Sequence, residues 1–154
     1  MSYFVPLLIG HGGNTGSQSV ATVIRAIALN QVSFGELCKV ATKEMLSGAV
    51  MGGVLGLGII ATTFVYDGFS FGVAVTVAIS LPVVSLWANF LGAVLPLIAM
   101  KLGQSPAVTS APLMTTIVDS TGLMIYFCCA KLVLPFYAPD HPAAPAGHAL
   151  AYQS

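Results

Sequence analysis

The chain has 154 residues, of which 56% are apolar or aromatic and only 6% charged, with a mean hydropathy of +0.92. A soluble domain of this size carries roughly a quarter charged residues, so the composition excludes one. Five Lys and Arg balance five Asp and Glu, which leaves no basic surface for a nucleic-acid backbone and no acidic disordered tail.

Residues 1–24 carry no Lys, Arg, Asp or Glu. A first helix is predicted over 5–29, because Pro6 suits a first turn and Asn30-Gln31 with Ser33 and Gly35 reads as its end. The segment lacks the basic start and small-residue cleavage site of a secretory signal and is expected to stay in the chain. After a polar link, a second helix is predicted over 43–66, charge-free from 45 onward and closed by a tight turn at Asp67-Gly68. The third, 71–100, exceeds one straight crossing and holds Pro82 and Pro96, so tilt or a break is expected. A link over 101–108 leads into a fourth helix, 109–135, and residues 136–154, rich in Ala, Pro and His, read as a disordered tail.

Each apolar stretch reaches the roughly 20 residues that a helix needs to cross about 30 Å of hydrocarbon. The expected fold is therefore all-α: a polytopic membrane protein with four transmembrane helices forming one domain over 1–135. Four helices are few for a monomeric pore, so oligomerisation is expected. Arg25, Lys39, Lys43 and Lys101 fall on the side shared by the two polar links, and only Lys131 lies opposite. The positive-inside rule then puts both links in the cytoplasm and both termini on the other side.

Asp119 is the residue to explain, since a carboxylate near mid-bilayer costs about 2.5 to 3.5 kcal/mol on insertion scales. By helical spacing it shares a face with Pro112, Thr115, Thr116, Gly122 and Tyr126. No intramembrane base is available as its partner, because Arg25 and Lys131 lie near helix ends. A bound or passing cation accounts for it better than an internal ion pair. In the first helix Gly10, Asn14, Gln18, Ala21 and Arg25 form a stripe of small and amide groups, open to two readings, close packing or pore lining. The second helix carries Gly48, Gly52 and Gly56 with no charged companion, a packing pattern.

The other chemistry-bearing residues offer less. His11 near a helix end reads as a hydrogen-bonded polar residue, and His141 and His148 as a weak metal signal. Trp87 and Tyr66 fit packing or interfacial positions. Cys38, Cys128 and Cys129 have no ligand-type spacing and read as apolar filler. With no Ser/His/Asp set, HExxH, phosphate-binding Gly-Lys motif or CxxC, an enzyme is not expected.

Two motifs, Pro6-Leu-Leu-Ile-Gly-His-Gly-Gly-Asn-Thr-Gly-Ser-Gln18 and Ser110-Ala-Pro-Leu-Met-Thr-Thr-Ile-Val-Asp119-Ser-Thr-Gly-Leu-Met-Ile-Tyr126, carry a resemblance to the membrane domain of the MgtE family of magnesium channels and transporters. Lys43-Glu44 ahead of the spaced glycines, Leu95-Pro96, Lys101-Leu-Gly103 and Pro106-Ala107 support it. The resemblance implies a homodimer in the cell membrane with a pore for Mg²⁺, or other divalent cations, along the two-fold axis. It implies Asp119 as the central metal-binding residue, Asn14 beside the ion, and a carbonyl at Thr115 helping to bind hydrated Mg²⁺. Gly10, Gln18 and Ala111 match further pore-lining positions. The family's membrane domain has five helices and the match covers the last four, so the helix expected before Met1 is not in the sequence. An accessory subunit that conducts only with a partner supplying that helix is the alternative. Ser105 stands where the family often has an acid, which puts an auxiliary inner site in doubt. The sequence holds no CBS pair, so the family's magnesium-sensing gate is not carried over.

Overall fold

The computed structural model describes residues 4–65 and 70–137, and these form four long helices: α1 (Val5–Ala28), α2 (Leu37–Thr62), α3 (Phe71–Lys101) and α4 (Pro106–Val133). Single 3₁₀ turns at Phe34–Glu36 and Leu134–Phe136 adjoin α2 and α4. Two stop signals explain where helices end. Asn30 (φ 55°) follows α1 and Gly103 (φ 69°) follows α3, both left-handed. In each case the next amide reaches back five residues, Gln31 to the Ala26 carbonyl and Gln104 to the Ala99 carbonyl, both at 2.9 Å. These are Schellman closures, and they satisfy carbonyls that the helix leaves open.

Two sequence expectations are corrected. Helix α2 begins at Leu37, six residues before the predicted start at Lys43. The physical reason is a local cap: the Glu36 carboxylate accepts from the Ser33 backbone N–H at 3.3 Å, and the Lys101 ammonium sits 4.1 Å from the centre of the Phe34 ring. The link is ordered by these contacts, and the chain turns into the helix sooner. Helix α3 is also continuous across Pro82 and Pro96, so the break does not occur. The Asp67-Gly68 turn, Tyr66, the tail, His141 and His148 lie outside the described residues.

Helix α3 is the spine. Leu8, Val77, Leu81, Val84 and Tyr126 form a buried cluster at one end. Val20, Ala88, Leu91, Met114 and Val118 form one in the middle, and Val23, Ala41, Ala93 and Leu97 one at the other end. Helices α1, α2 and α4 all pack on α3, and α1 also packs on α4, whereas α1 and α2 scarcely touch. Gly48, Gly52 and Gly56 carry the α2 to α3 seam. A Cβ at these positions would lie 2.5 Å from the Ser85 carbonyl oxygen, 2.5 Å from Pro82 Cα and 2.6 Å from the Ala78 carbonyl oxygen. Without a hydrophobic drive between helices in lipid, such backbone approach is what holds two helices together.

Three segments, Phe34–Thr62, Phe71–Lys101 and Pro106–Phe136, are long and apolar enough to cross a membrane. Helix α1 has 24 residues, ample length, but Gly, Asn, Gln, Ser and His dilute its apolar content. Its two faces differ: Leu8, Gly12, Thr15, Gly16, Ser19, Val20 and Val23 are buried, and Gly10, Asn14, Gln18, Ala21 and Arg25 are exposed.

Candidate functional site

Helices α1 and α4 lie side by side, and each carries exposed polar residues. Asn14, Gln18, Ala111, Thr116 and Asp119 are all exposed, and Thr115 is half-buried at the edge. The two helices meet through a glycine: a Cβ at Gly13 would sit 3.8 Å from Asp119 Oδ1. That puts the carboxylate over the α1 backbone one residue from Asn14. Asp119 makes no hydrogen bond or ion pair with any described residue. The structure thus brings Asp119 beside the Gly13-Asn14 turn of α1, leaves Gly10, Asn14, Gln18 and Ala111 exposed and Thr115 half-buried, and turns Gln18 to the cleft between α1 and α2.

The hydroxyls near Asp119 are used locally. Thr115 Oγ1 donates to the Pro112 carbonyl at 3.1 Å and Thr116 Oγ1 to the same carbonyl at 3.0 Å, while Ser120 Oγ donates to Thr116 O at 3.0 Å. With their protons held by backbone, their oxygen lone pairs are left toward the open face.

Two residues predicted on the Asp119 face turn inward instead. Tyr126 is fully buried in the α3 cluster, and Gly122 is buried against Val84. On a helix of 3.6 residues per turn Gly122 lies about 60° and Tyr126 about 20° from Asp119, both toward the side of Met114 and Val118 that packs on α3.

The two readings of the α1 glycines divide by position. Gly12 meets Val84 and Val118, and Gly16 meets the Ala88 carbonyl and Met114, so these two pack. Gly10 has open space where a Cβ would go. His11 is a packing residue too. Ser85 Oγ gives its proton to the Leu81 carbonyl at 2.7 Å, so it accepts from His11 Nε2 at 2.8 Å. Thr15 Oγ1 then donates to Nδ1 at 3.4 Å, and both ring nitrogens are satisfied. Trp87 donates to Thr121 Oγ1 at 2.8 Å and stacks on Phe90. The three cysteines are free thiols.

The basic residues gather as predicted: Arg25 closes α1, Lys39 and Lys43 open α2, and Lys101 closes α3, all at one end, with Lys131 near the end of α4 at the other.

The family model for MgtE, described as a divalent cation transporter, matches residues 5–129. The chain belongs to the MgtE family. Among curated members it is 38% identical over 134 residues to the magnesium transporter MgtE of Thermus thermophilus, covering 87% of this chain and 29% of that one. It is 33% identical over 142 residues to the magnesium transporter MgtE of Enterococcus faecalis (89% of this chain, 30% of that one). Against the Bacillus subtilis magnesium transporter MgtE it is 31% identical over 127 residues (82% and 28%). The chain thus spans less than a third of the length of the curated relatives it matches.

Sequence reasoning passed over one group. Glu44 and Asn89 are buried, and they meet between α2 and α3, Asn89 Nδ2 donating to the Glu44 carbonyl at 3.0 Å. The available signal was an amide in the middle of the most apolar helix of the chain.

Proposed function

We propose that this MgtE-family chain conducts Mg²⁺ or a chemically similar divalent cation, through a path at the interface of two copies, with Asp119 as the central ion-binding residue. The observation that carries it is an exposed Asp119 carboxylate, with no counterion among the described residues, beside α1 in an otherwise apolar helical unit. In lipid that carboxylate is costly; covering it with its own copy across a two-fold axis encloses a hydrated path. Two Asp119 carboxylates facing each other repel in a low dielectric unless a divalent cation lies between them, which favours such an ion over a monovalent one.

In this reading Asn14 and Thr115 lie beside the ion, and Gly10, Gln18 and Ala111 line the path. Mg²⁺ dehydrates reluctantly and usually keeps several waters, so recognition through water by a carboxylate, amides and carbonyls suits it. Helix α1 crosses the membrane as a fourth span, its polar face shielded by the partner. The basic ends of α1, α2 and α3 face the cytoplasm of a cell-membrane protein, and both termini face away from it. The activity is transport, with no catalytic step.

The test is divalent-ion flux into proteoliposomes holding only this chain. Flux that disappears in Asp119→Asn, with a dimer in cross-linking, is the expected result. Flux unchanged by Asp119→Asn overturns the central role of that residue. No flux from the unaltered chain favours the accessory reading, in which a partner must complete the unit.

A further inference from the structure

Helices α1 and α2 both pack on α3 but scarcely on each other, so a cleft opens between them. At the level of Glu44 it widens to a cavity of about 260 Å³, whose polar lining includes Gln18, Thr22, Lys43, Glu44, Ser47 and Asn89. Two of these residues are deeply buried and incompletely paired. Asn89, 3% exposed, uses Nδ2 on the Glu44 carbonyl, and its Oδ1 is buried with no partner. Glu44 is 9% exposed, and its carboxylate makes no hydrogen bond or ion pair with any described residue. Lys43 borders the same space without closing a pair on it. A buried amide oxygen left open, beside a carboxylate that pairs with no described residue, is costly unless something from outside completes it.

We infer that this cavity is a second cation site, holding a hydrated divalent ion on the Glu44 carboxylate and Asn89 Oδ1, with Gln18 and Ser47 reached through water. The donors are all oxygens, the set that hard divalent cations prefer. The space suits a hydrated ion: six waters at about 30 Å³ each need roughly 180 Å³. A single carboxylate beside Lys43 leaves the ion only partly neutralised, which makes the site weak and exchangeable. Gln18 lines the cavity and also belongs to the exposed stripe of α1. The inference rests on the proposed cation path only for the choice of ion.

The test uses the full chain in detergent with Mn²⁺ as the probe, read as loss of the free Mn²⁺ paramagnetic resonance signal. In an Asp119→Asn background, saturable Mn²⁺ binding that Mg²⁺ displaces is expected to remain. Adding Glu44→Gln should weaken it at least tenfold, and adding Asn89→Ala severalfold. Absence of binding in the Asp119→Asn chain, or binding indifferent to Glu44→Gln, overturns the site. A second measurement needs no substitution: carbodiimide labelling of Glu44 in the unaltered chain, read by mass spectrometry of its peptide, should slow severalfold with Mg²⁺. Labelling insensitive to Mg²⁺ means a cavity filled by water alone and also overturns the site. Failure of the Asp119 path would register separately, as flux unaffected by Asp119→Asn.

Discussion

Helices α1 and α2 are both rich in glycine, and they use it for opposite ends. On α2 the three glycines at four-residue spacing all face α3, where a Cβ would fall 2.5 to 2.6 Å from backbone atoms. On α1 only Gly12 and Gly16 pack, while Gly10 opens on unfilled space and Gly13 looks onto the Asp119 carboxylate. A seam buried on one side needs nothing but close approach. A helix packed on one side and polar on the other must combine small residues for contact with amides for a wet face. The difference teaches that a small-residue pattern marks packing when its exposed neighbours are apolar, as Val50, Val54 and Leu57 are on α2. It marks something more when those neighbours are Asn and Gln.

The largest effect that would break this contrast is on transport. Asp119→Asn should abolish divalent flux in proteoliposomes while leaving helical content by circular dichroism unchanged, since Asp119 makes no hydrogen bond or ion pair with any described residue. A comparable loss of folded protein would show that the face is structural.

Next comes the seam. Gly52→Val is expected to destabilise the fold by about 3 kcal/mol or more, because the obstacles are α3 backbone atoms that cannot move aside. Gly53→Val, one residue on and with nothing within 4 Å, should behave like the unaltered chain. The pair can be compared by thermal aggregation in detergent, and equal midpoints would refute the seam.

A smaller effect belongs to His11. His11→Ala removes two hydrogen bonds and leaves Ser85 short of a donor, at a cost of about 1 to 2 kcal/mol, visible as a lowered unfolding midpoint. Ser85→Ala should lose about as much, and the double variant less than the sum, since one contact is shared. Additive losses would mean that the two residues act independently.

The smallest change sharpens the comparison. Gly10→Ala has room for its methyl and gains helix propensity of about 0.8 to 1 kcal/mol, so stability should hold or rise slightly. Altered flux at unchanged stability would mark Gly10 as lining the path, and unaltered flux would remove it from that list.

Much of this molecule could be read without coordinates. Helix number, the approximate bounds of α1 and α3, the end of α1 at Asn30 and the collection of basic residues at one end follow from local chemistry: run length, left-handed stop residues and charge position. The exposed stripe of α1 followed as well, since helical periodicity sorts residues into faces whatever the neighbours are. The early start of α2 was also written locally, in the Ser33-Phe-Gly-Glu36 capping box, and was passed over; the contact of Phe34 with Lys101, sixty-seven positions away, was not legible.

What only the tertiary structure decided is which neighbour each face meets. Periodicity could not divide the α1 glycines between Val84 and open space, turn Gly122 and Tyr126 from the Asp119 face toward α3, or bring Asn89 to Glu44 across forty-five residues. The sequence determined that this is a bundle of apolar helices with one acid and one amide stripe out of place in lipid, because hydropathy and helical period are properties of the chain itself. Which side chains share a surface depends on how helices rotate against one another, and that is set by the close packing of all four at once.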